Sequence, residues 1–123
     1  MATQASLYTR QSVLNDDGAD VLADEREYRW TVASGVLKRE EVTLTGSAFT
    51  ALSPPTNAKK VRIILPAAAV SLTLKGVTGD TGITLSPASN FIGGTVELTL
   101  GASPSLGILN GSATARLITV IWL

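Results

Sequence analysis

The densest group of chemically active side chains is an acidic cluster near the beginning of the sequence. It consists of Asp16, Asp17, Asp20, Asp24 and Glu25. Carboxylate oxygens at close spacing are the ligands that Ca²⁺ prefers, so the cluster raises the hypothesis of a calcium site. The pattern of a calcium-binding helix-loop-helix motif is not met, because Gly18 follows Asp16 too closely. We therefore interpret the cluster as a solvated or partner-facing acidic segment, with calcium as the minor alternative.

A second candidate is the glycine-rich segment from Gly76 to Gly82, which could hold an anion or a sugar. It lacks the Lys-Ser/Thr pair that a phosphate-binding loop carries after its last glycine. Asp80 within it has no nearby second carboxylate, whereas a glycoside hydrolase uses two. The other acidic residue of this region, Glu97, falls in a predicted strand. The segment is therefore predicted to be a loop with a solvated Asp80.

Five residues are candidates for contact with a partner. Tyr28 and Trp30 could form a platform that anchors a protein or stacks on a sugar. The basic residues Lys59, Lys60 and Arg62 lack the interleaved aromatic residues that single-stranded nucleic acid binding uses. We therefore expect no nucleic-acid partner. The basic residues are instead interpreted as complementary to the acidic segment, in the same chain or in a neighbouring one.

The sequence contains neither cysteine nor histidine. Their absence excludes disulfides, the common zinc sites, thiol nucleophiles and Ser-His-Asp triads. The ten basic and ten acidic residues cancel, so no overall field attracts nucleic acid or an anionic membrane. The composition therefore disfavours an enzyme, and no cofactor or metal is predicted.

The length of 123 residues, 45% of them hydrophobic, fits a single domain with a proper core. The first residues show no basic region followed by an apolar stretch, which a secretory signal would need. The longest apolar runs are much shorter than the roughly 20 residues of a membrane-spanning helix. The expectation is a soluble protein made in the cytoplasm, with no membrane partner.

The charges are distributed unevenly along the chain. Residues 1–42 carry 13 of the 20 charges with a net charge of −3, and residues 43–123 have a net charge of +3. This shift predicts a boundary near Val42, between a charge-rich N-terminal arm with a first strand (1–42) and a β-sandwich domain (43–123).

Within the first region, residues 1–27 show no clear period and are interpreted as an extended arm with little core of its own. The segment from Asp20 to Arg29 could alternatively form a short helix, because acidic residues near its start would complement the helix dipole. The segment from Tyr28 to Val32 alternates weakly and could be a strand.

After Val42 the sequence is typical of antiparallel β-structure. Apolar residues recur at every second position or form β-branched runs of strand length, and turn residues separate the runs. About seven short strands at this spacing predict an antiparallel β-sandwich, of jelly-roll type. The predicted strands are 42–45, 60–65, 70–74, 82–85, 96–100, 106–109 and 115–123.

Two local features add detail to this prediction. Asn110-Gly111 is the strongest hairpin signal, because a type I′ turn needs positive φ at both central positions. The run from Leu117 to Leu123 is apolar and would aggregate as an exposed edge. We expect this strand to be central in a sheet or covered by another subunit, which favours a homo-oligomer.

The order of these features resembles that of the small virion proteins of tailed bacteriophages, in particular capsid decoration (cement) proteins with a jelly-roll sandwich. The features are a polar arm, Val42-Thr-Leu-Thr-Gly46, a Pro-Pro loop, Lys60–Leu65, Asp80-Thr-Gly-Ile83 and a closing strand over 115–122. The resemblance implies a non-catalytic protein on the outer capsid surface that binds the major capsid protein as a dimer or trimer. The alternatives are a tail, neck or head-fibre component, or a carbohydrate-binding adhesin module.

Overall fold

All regular secondary structure in the described part of the chain is β-strand. The computed structural model describes residues 3–14, 16–33, 35–66, 71–85 and 94–123, which contain ten strands in three antiparallel sheets. Among these residues no helix has the length and apolar composition needed to cross a membrane. The chain divides into two compact units, Met1–Ser34 and Gly35–Leu123. The predicted all-β antiparallel class is confirmed.

The first unit is a two-stranded ribbon formed by β1 (Thr3–Leu14) and β2 (Asp20–Val32). The turn between them includes Gly18 at a φ of 81°, a backbone conformation that glycine adopts without strain. The helical alternative for Asp20 to Arg29 is not found, because this segment lies in β2.

The second unit contains eight strands in two four-stranded sheets. The first sheet has the order β3-β10-β5-β8 and the second sheet the order β4-β9-β6-β7. The strands are β3 (Lys38–Leu44), β4 (Ala48–Ala51), β5 (Lys60–Ile64), β6 (Leu72–Lys75), β7 (Ile83–Leu85), β8 (Thr95–Thr99), β9 (Gly107–Asn110) and β10 (Arg116–Trp122).

The segments predicted as strands overlap seven of these eight strands, although the segment 42–45 covers only the end of β3. Val70, with which one prediction began, lies outside the described residues. The missed strand is β4, whose sequence Ala-Phe-Thr-Ala is short and does not alternate clearly. The change in charge density at Val42 falls inside β3, and β3 belongs to the same unit as the other strands of the first sheet.

The core of the second unit follows the period-two pattern of its strands. In β10, Ile118, Val120 and Trp122 are buried, while the residues between them are more exposed. The fully buried side chains include residues from both sheets: Leu44, Val61, Ile63, Leu72 and Ile108. Strand β10 lies between β3 and β5, so both of its edges are paired. Its predicted central position is confirmed.

The predicted type I′ hairpin at Asn110-Gly111 is wrong. Neither residue has a positive φ, and the strands on either side, β9 and β10, belong to different sheets. A two-residue hairpin joins neighbours within one sheet, whereas this connection crosses from the second sheet to the first. Asn110 is instead a buried residue. Its side-chain amide donates hydrogen bonds to the carbonyls of Leu44 (3.3 Å) and Thr114 (3.0 Å).

Candidate interaction surfaces

Tyr28 and Trp30, the two aromatic residues predicted to anchor a partner, lie on the same face of β2. Tyr28 is opposite Leu7 of β1, and Trp30 is opposite Ala5. Directly opposite residues of an antiparallel pair share a face, so these four side chains form one patch, which we call the aromatic face. Tyr28 is 43% exposed and Trp30 is half-buried. The ribbon therefore presents aromatic surface that could contact a partner.

The other face of the ribbon is mostly charged and polar, and the exposed Tyr8 also lies there, opposite Glu27. Its cross-strand pairs place Arg10 opposite Glu25 and Ser6 opposite Arg29. Arg29 also forms an ion pair with Glu27 two residues before it, at 3.1 Å between Nε and Oε1. Both side chains are largely exposed. Exposed ion pairs of this kind contribute little to stability, so their partners can be exchanged at low cost.

Arg26 lies beside the aromatic residues, on the same face as Tyr28. Its guanidinium donates to the phenol oxygen of Tyr28 (3.5 Å) and to Oδ1 of Asp24 (3.1 Å). These two hydrogen bonds raise the pKa of Arg26 above its ordinary value, and the hydrogen bond to Tyr28 has the larger effect. The arginine therefore stays charged, and part of the acidic cluster is occupied by a cation of the same strand.

The basic residues Lys60 and Arg62 lie on the outward side of β5, because Val61 and Ile63 between them are buried. Arg62 Nε is 3.4 Å from Oε1 of Glu97 on β8. Lys60 Nζ donates to Oγ1 of Thr99, also on β8, at 3.4 Å. The structure thus brings Lys60 and Arg62 together on one surface, and these two contacts lie within the first sheet.

The same surface also contains apolar residues. Leu117 is 52% exposed, and Ile64 and Ile121 are half-buried. The register aligns Arg39, Ile121, Arg62 and Glu97 in one row across the four strands. We call this surface the outer face of the first sheet; its residues are Arg39, Glu41, Thr43, Lys60, Arg62, Ile64, Thr95, Glu97, Thr99, Leu117, Thr119 and Ile121.

Lys59 is separated from the other two basic residues by its position before β5. It lines a cleft of about 500 Å³ between the loops 54–59 and 100–104. Two further lining residues, Asn57 and Ser103, have positive φ angles of 69° and 50°. The cleft walls include Pro54, Pro55 and Pro104 and no aromatic residue. Turn chemistry was evident in both loops, but their proximity depends on the fold.

Asp80, the candidate in the glycine-rich loop, holds the loop together. Its Oδ2 accepts a hydrogen bond from the backbone amide of Val77 at 2.9 Å. Its own amide donates to the carbonyl of Val77 at 3.1 Å. The hydroxyl of Ser105 donates to the carbonyl of Gly76 and connects the loop to the segment before β9. This carboxylate therefore has a structural role.

The acidic cluster does not form a metal site in the part that the structure describes. Among the described residues there is no group of three or more acidic, histidine or cysteine side chains that could hold a metal ion. Asp16 and Asp17 are exposed in the turn between β1 and β2. Asp24 contacts Arg26.

No protein-family model, no curated protein and no solved structure matches the chain.

Proposed function

We propose that the protein is a non-catalytic structural component of a bacteriophage particle, binding the major capsid protein on the outer capsid surface. The observation that carries this proposal is the outer face of the first sheet. Its three apolar side chains, Ile64, Leu117 and Ile121, lie on the two central strands, with Thr119 among them and charged side chains of both signs beside them. Exposed apolar side chains toward the middle of a surface with polar side chains toward its rim are typical of a surface that binds another protein.

The strand order supports a jelly roll as the finer description of the second unit. The eight strands of this unit pair from the outside of the sequence inward, the first with the eighth and so on to the fourth with the fifth. These pairs are β3 with β10, β4 with β9, β5 with β8 and β6 with β7. Rolling up one long hairpin of eight strands produces these four pairs. The β10–β5 and β9–β6 pairings then join them into two sheets.

The contacts of three carboxylates support a role without catalysis. Asp80 holds its own loop, Glu97 pairs with Arg62, and Glu40 is bound by Lys38 and Trp122. A general acid or base must reach a substrate, and each of these groups is engaged by a neighbour instead.

A second candidate function, a carbohydrate-binding module, is favoured by the proline-lined cleft. Thr56, Asn57, Lys59 and Ser103 supply polar groups there. The cleft lacks an aromatic ring among its lining residues, and aromatic rings are the usual platform for a sugar. A tail, neck or head-fibre role would use the same outer face and differs only in the protein that covers it.

Co-sedimentation with empty shells of tailed phages tests the proposal. The wild-type chain should pellet with shells that it decorates, and Leu117→Glu should stay in the supernatant, because a carboxylate would replace the most exposed apolar side chain of the outer face. Val77→Glu is the matched control, since Val77 is equally exposed in the glycine-rich loop. Equal pelleting of Leu117→Glu and wild type would contradict a role for the outer face. Binding to a glycan array in place of shells would favour the second candidate.

A further inference from the structure

The outer edge of β2 is a long strand edge available for pairing. The ribbon has two strands, and no third strand pairs with β1 or β2 among the described residues. Strand β2 has 13 residues, so its edge is roughly 40 Å long. Unpaired edges are templates for another strand, and an isolated two-stranded sheet is only marginally stable in water. Both facts favour the addition of a strand at this edge.

The sequence of β2 is complementary to itself in an antiparallel register centred on Tyr28. When two copies pair with Tyr28 opposite Tyr28, Glu27 of each copy lies opposite Arg29 of the other. Arg26 then lies opposite Trp30, where a guanidinium can contact an aromatic ring. Twofold symmetry makes each of these contacts occur twice.

Charge excludes the neighbouring symmetric registers, in which the aromatic faces of the two copies would also lie on the same side of the sheet. A register centred on Arg26 places two arginines opposite each other, and so does one centred on Arg29. A register centred on Glu27 places two glutamates opposite each other. Like charges directly opposite each other are destabilising in a sheet. Of the four central positions from 26 to 29, Tyr28 alone has no like charges in opposition.

We propose that two copies of the chain associate through the outer edge of β2, antiparallel and centred on Tyr28, in a four-stranded sheet β1-β2-β2′-β1′. The sheet would carry the aromatic face of each copy on the same side, because the twofold axis is perpendicular to it. The exposed intrachain pair between Glu27 and Arg29 exchanges for the equivalent pair between copies. This association uses residues of the ribbon only and is independent of the capsid-binding proposal.

A mixing experiment tests the pairing of Glu27 with Arg29. Wild type should have twice the chain mass by light scattering at micromolar concentration. Glu27→Arg alone and Arg29→Glu alone should each be monomeric, because positions 27 and 29 then carry like charges. An equimolar mixture of the two variants should recover the doubled mass. In a mixed dimer the two cationic residues of one variant lie opposite the two anionic residues of the other. Glu41→Arg, on the outer face of the first sheet, is the control and should remain dimeric.

A single introduced cysteine tests the register. The natural chain has no cysteine. Opposite residues of antiparallel strands have Cα atoms about 4.5–5.5 Å apart, within the range of a disulfide. Tyr28→Cys should therefore cross-link two copies on mild oxidation, whereas Tyr8→Cys on β1 should not. Circular dichroism of each variant confirms that the strands are retained.

Monomeric wild type would overturn the proposal, and so would a variant mixture that stays monomeric. Equal cross-linking of Tyr28→Cys and Tyr8→Cys would also overturn the register. Loss of the dimer in Glu41→Arg alone would assign self-association to the outer face of the first sheet instead.

Discussion

The indole N–H of Trp122 donates a hydrogen bond to Oε1 of Glu40 at 3.2 Å. Glu40 is opposite Val120 in the β3–β10 register, so its side chain lies on the buried side of the sheet, next to Trp122. Lys38 Nζ is 2.8 Å from the other oxygen, Oε2. A fully buried tryptophan needs a partner for its N–H, and a lysine-bound carboxylate supplies it.

Replacing Trp122 with alanine should destabilise the protein by about 3–5 kcal/mol, because a fully buried ring would leave a cavity. A denaturant melt measures this loss. Trp122→Phe should cost less, because most of the packing remains while the hydrogen bond to Glu40 is lost. A loss well under 1 kcal/mol for Trp122→Ala would contradict burial of the ring.

The contribution of Glu40 to stability should depend on pH. The hydrogen bond from Lys38 and, to a smaller extent, that from Trp122 lower the pKa of Glu40 in the folded protein below its ordinary value of 4.5. Its ionised form therefore stabilises the folded state fully above pH 4.5, and this contribution is lost as the pH falls through the lowered pKa.

Melts of wild type and Glu40→Gln over a range of pH measure this effect. The difference in unfolding free energy should be constant near neutral pH and should shrink in acid. Glu41→Gln is the control, because Glu41 is exposed on the outward side of the same strand. A difference that does not change with pH would contradict the role of the ionised carboxylate.

Asn110→Asp should destabilise the second unit by at least about 2 kcal/mol. The carboxylate cannot donate the hydrogen bonds that the buried amide gives to Leu44 and Thr114, and it would leave a charge in the core. Asn57→Asp, in an exposed loop, should change stability little, since aspartate also tolerates a positive φ. Thermal melts of both variants give the comparison; equal stabilities would exclude an essential role for the amide donor.

Two truncations should differ sharply. Residues 35–123 contain all eight strands of the second unit and should fold cooperatively on their own. Residues 43–123, which begin at the charge boundary, lack most of β3, including Lys38 and Glu40. This fragment should melt at a lower temperature or fail to fold, because one edge of β10 and the N–H of Trp122 lose their partners. Equal stability of the two fragments would contradict this interpretation.

Alternation in the sequence predicted most of the strands but not their neighbours. Strands β5, β8 and β10 follow from apolar residues in β-branched or alternating runs. The dipeptide Asn110-Gly111 misled the turn prediction, because its local preference for a tight turn was overridden by the path of the chain between two sheets. Local turn chemistry therefore predicts a change of direction more reliably than it predicts the next pairing.

The sequence by itself determined the all-β class and most of the strand segments after Val42. These properties depend on the alternation of side chains along one strand, which is local. The tertiary structure alone decided that Leu117 and Ile121 lie outward beside Arg62, and that Lys59 lines a separate cleft. It also brought Glu40 to Trp122. These contacts join residues far apart in the chain, and pairing between strands sets their register.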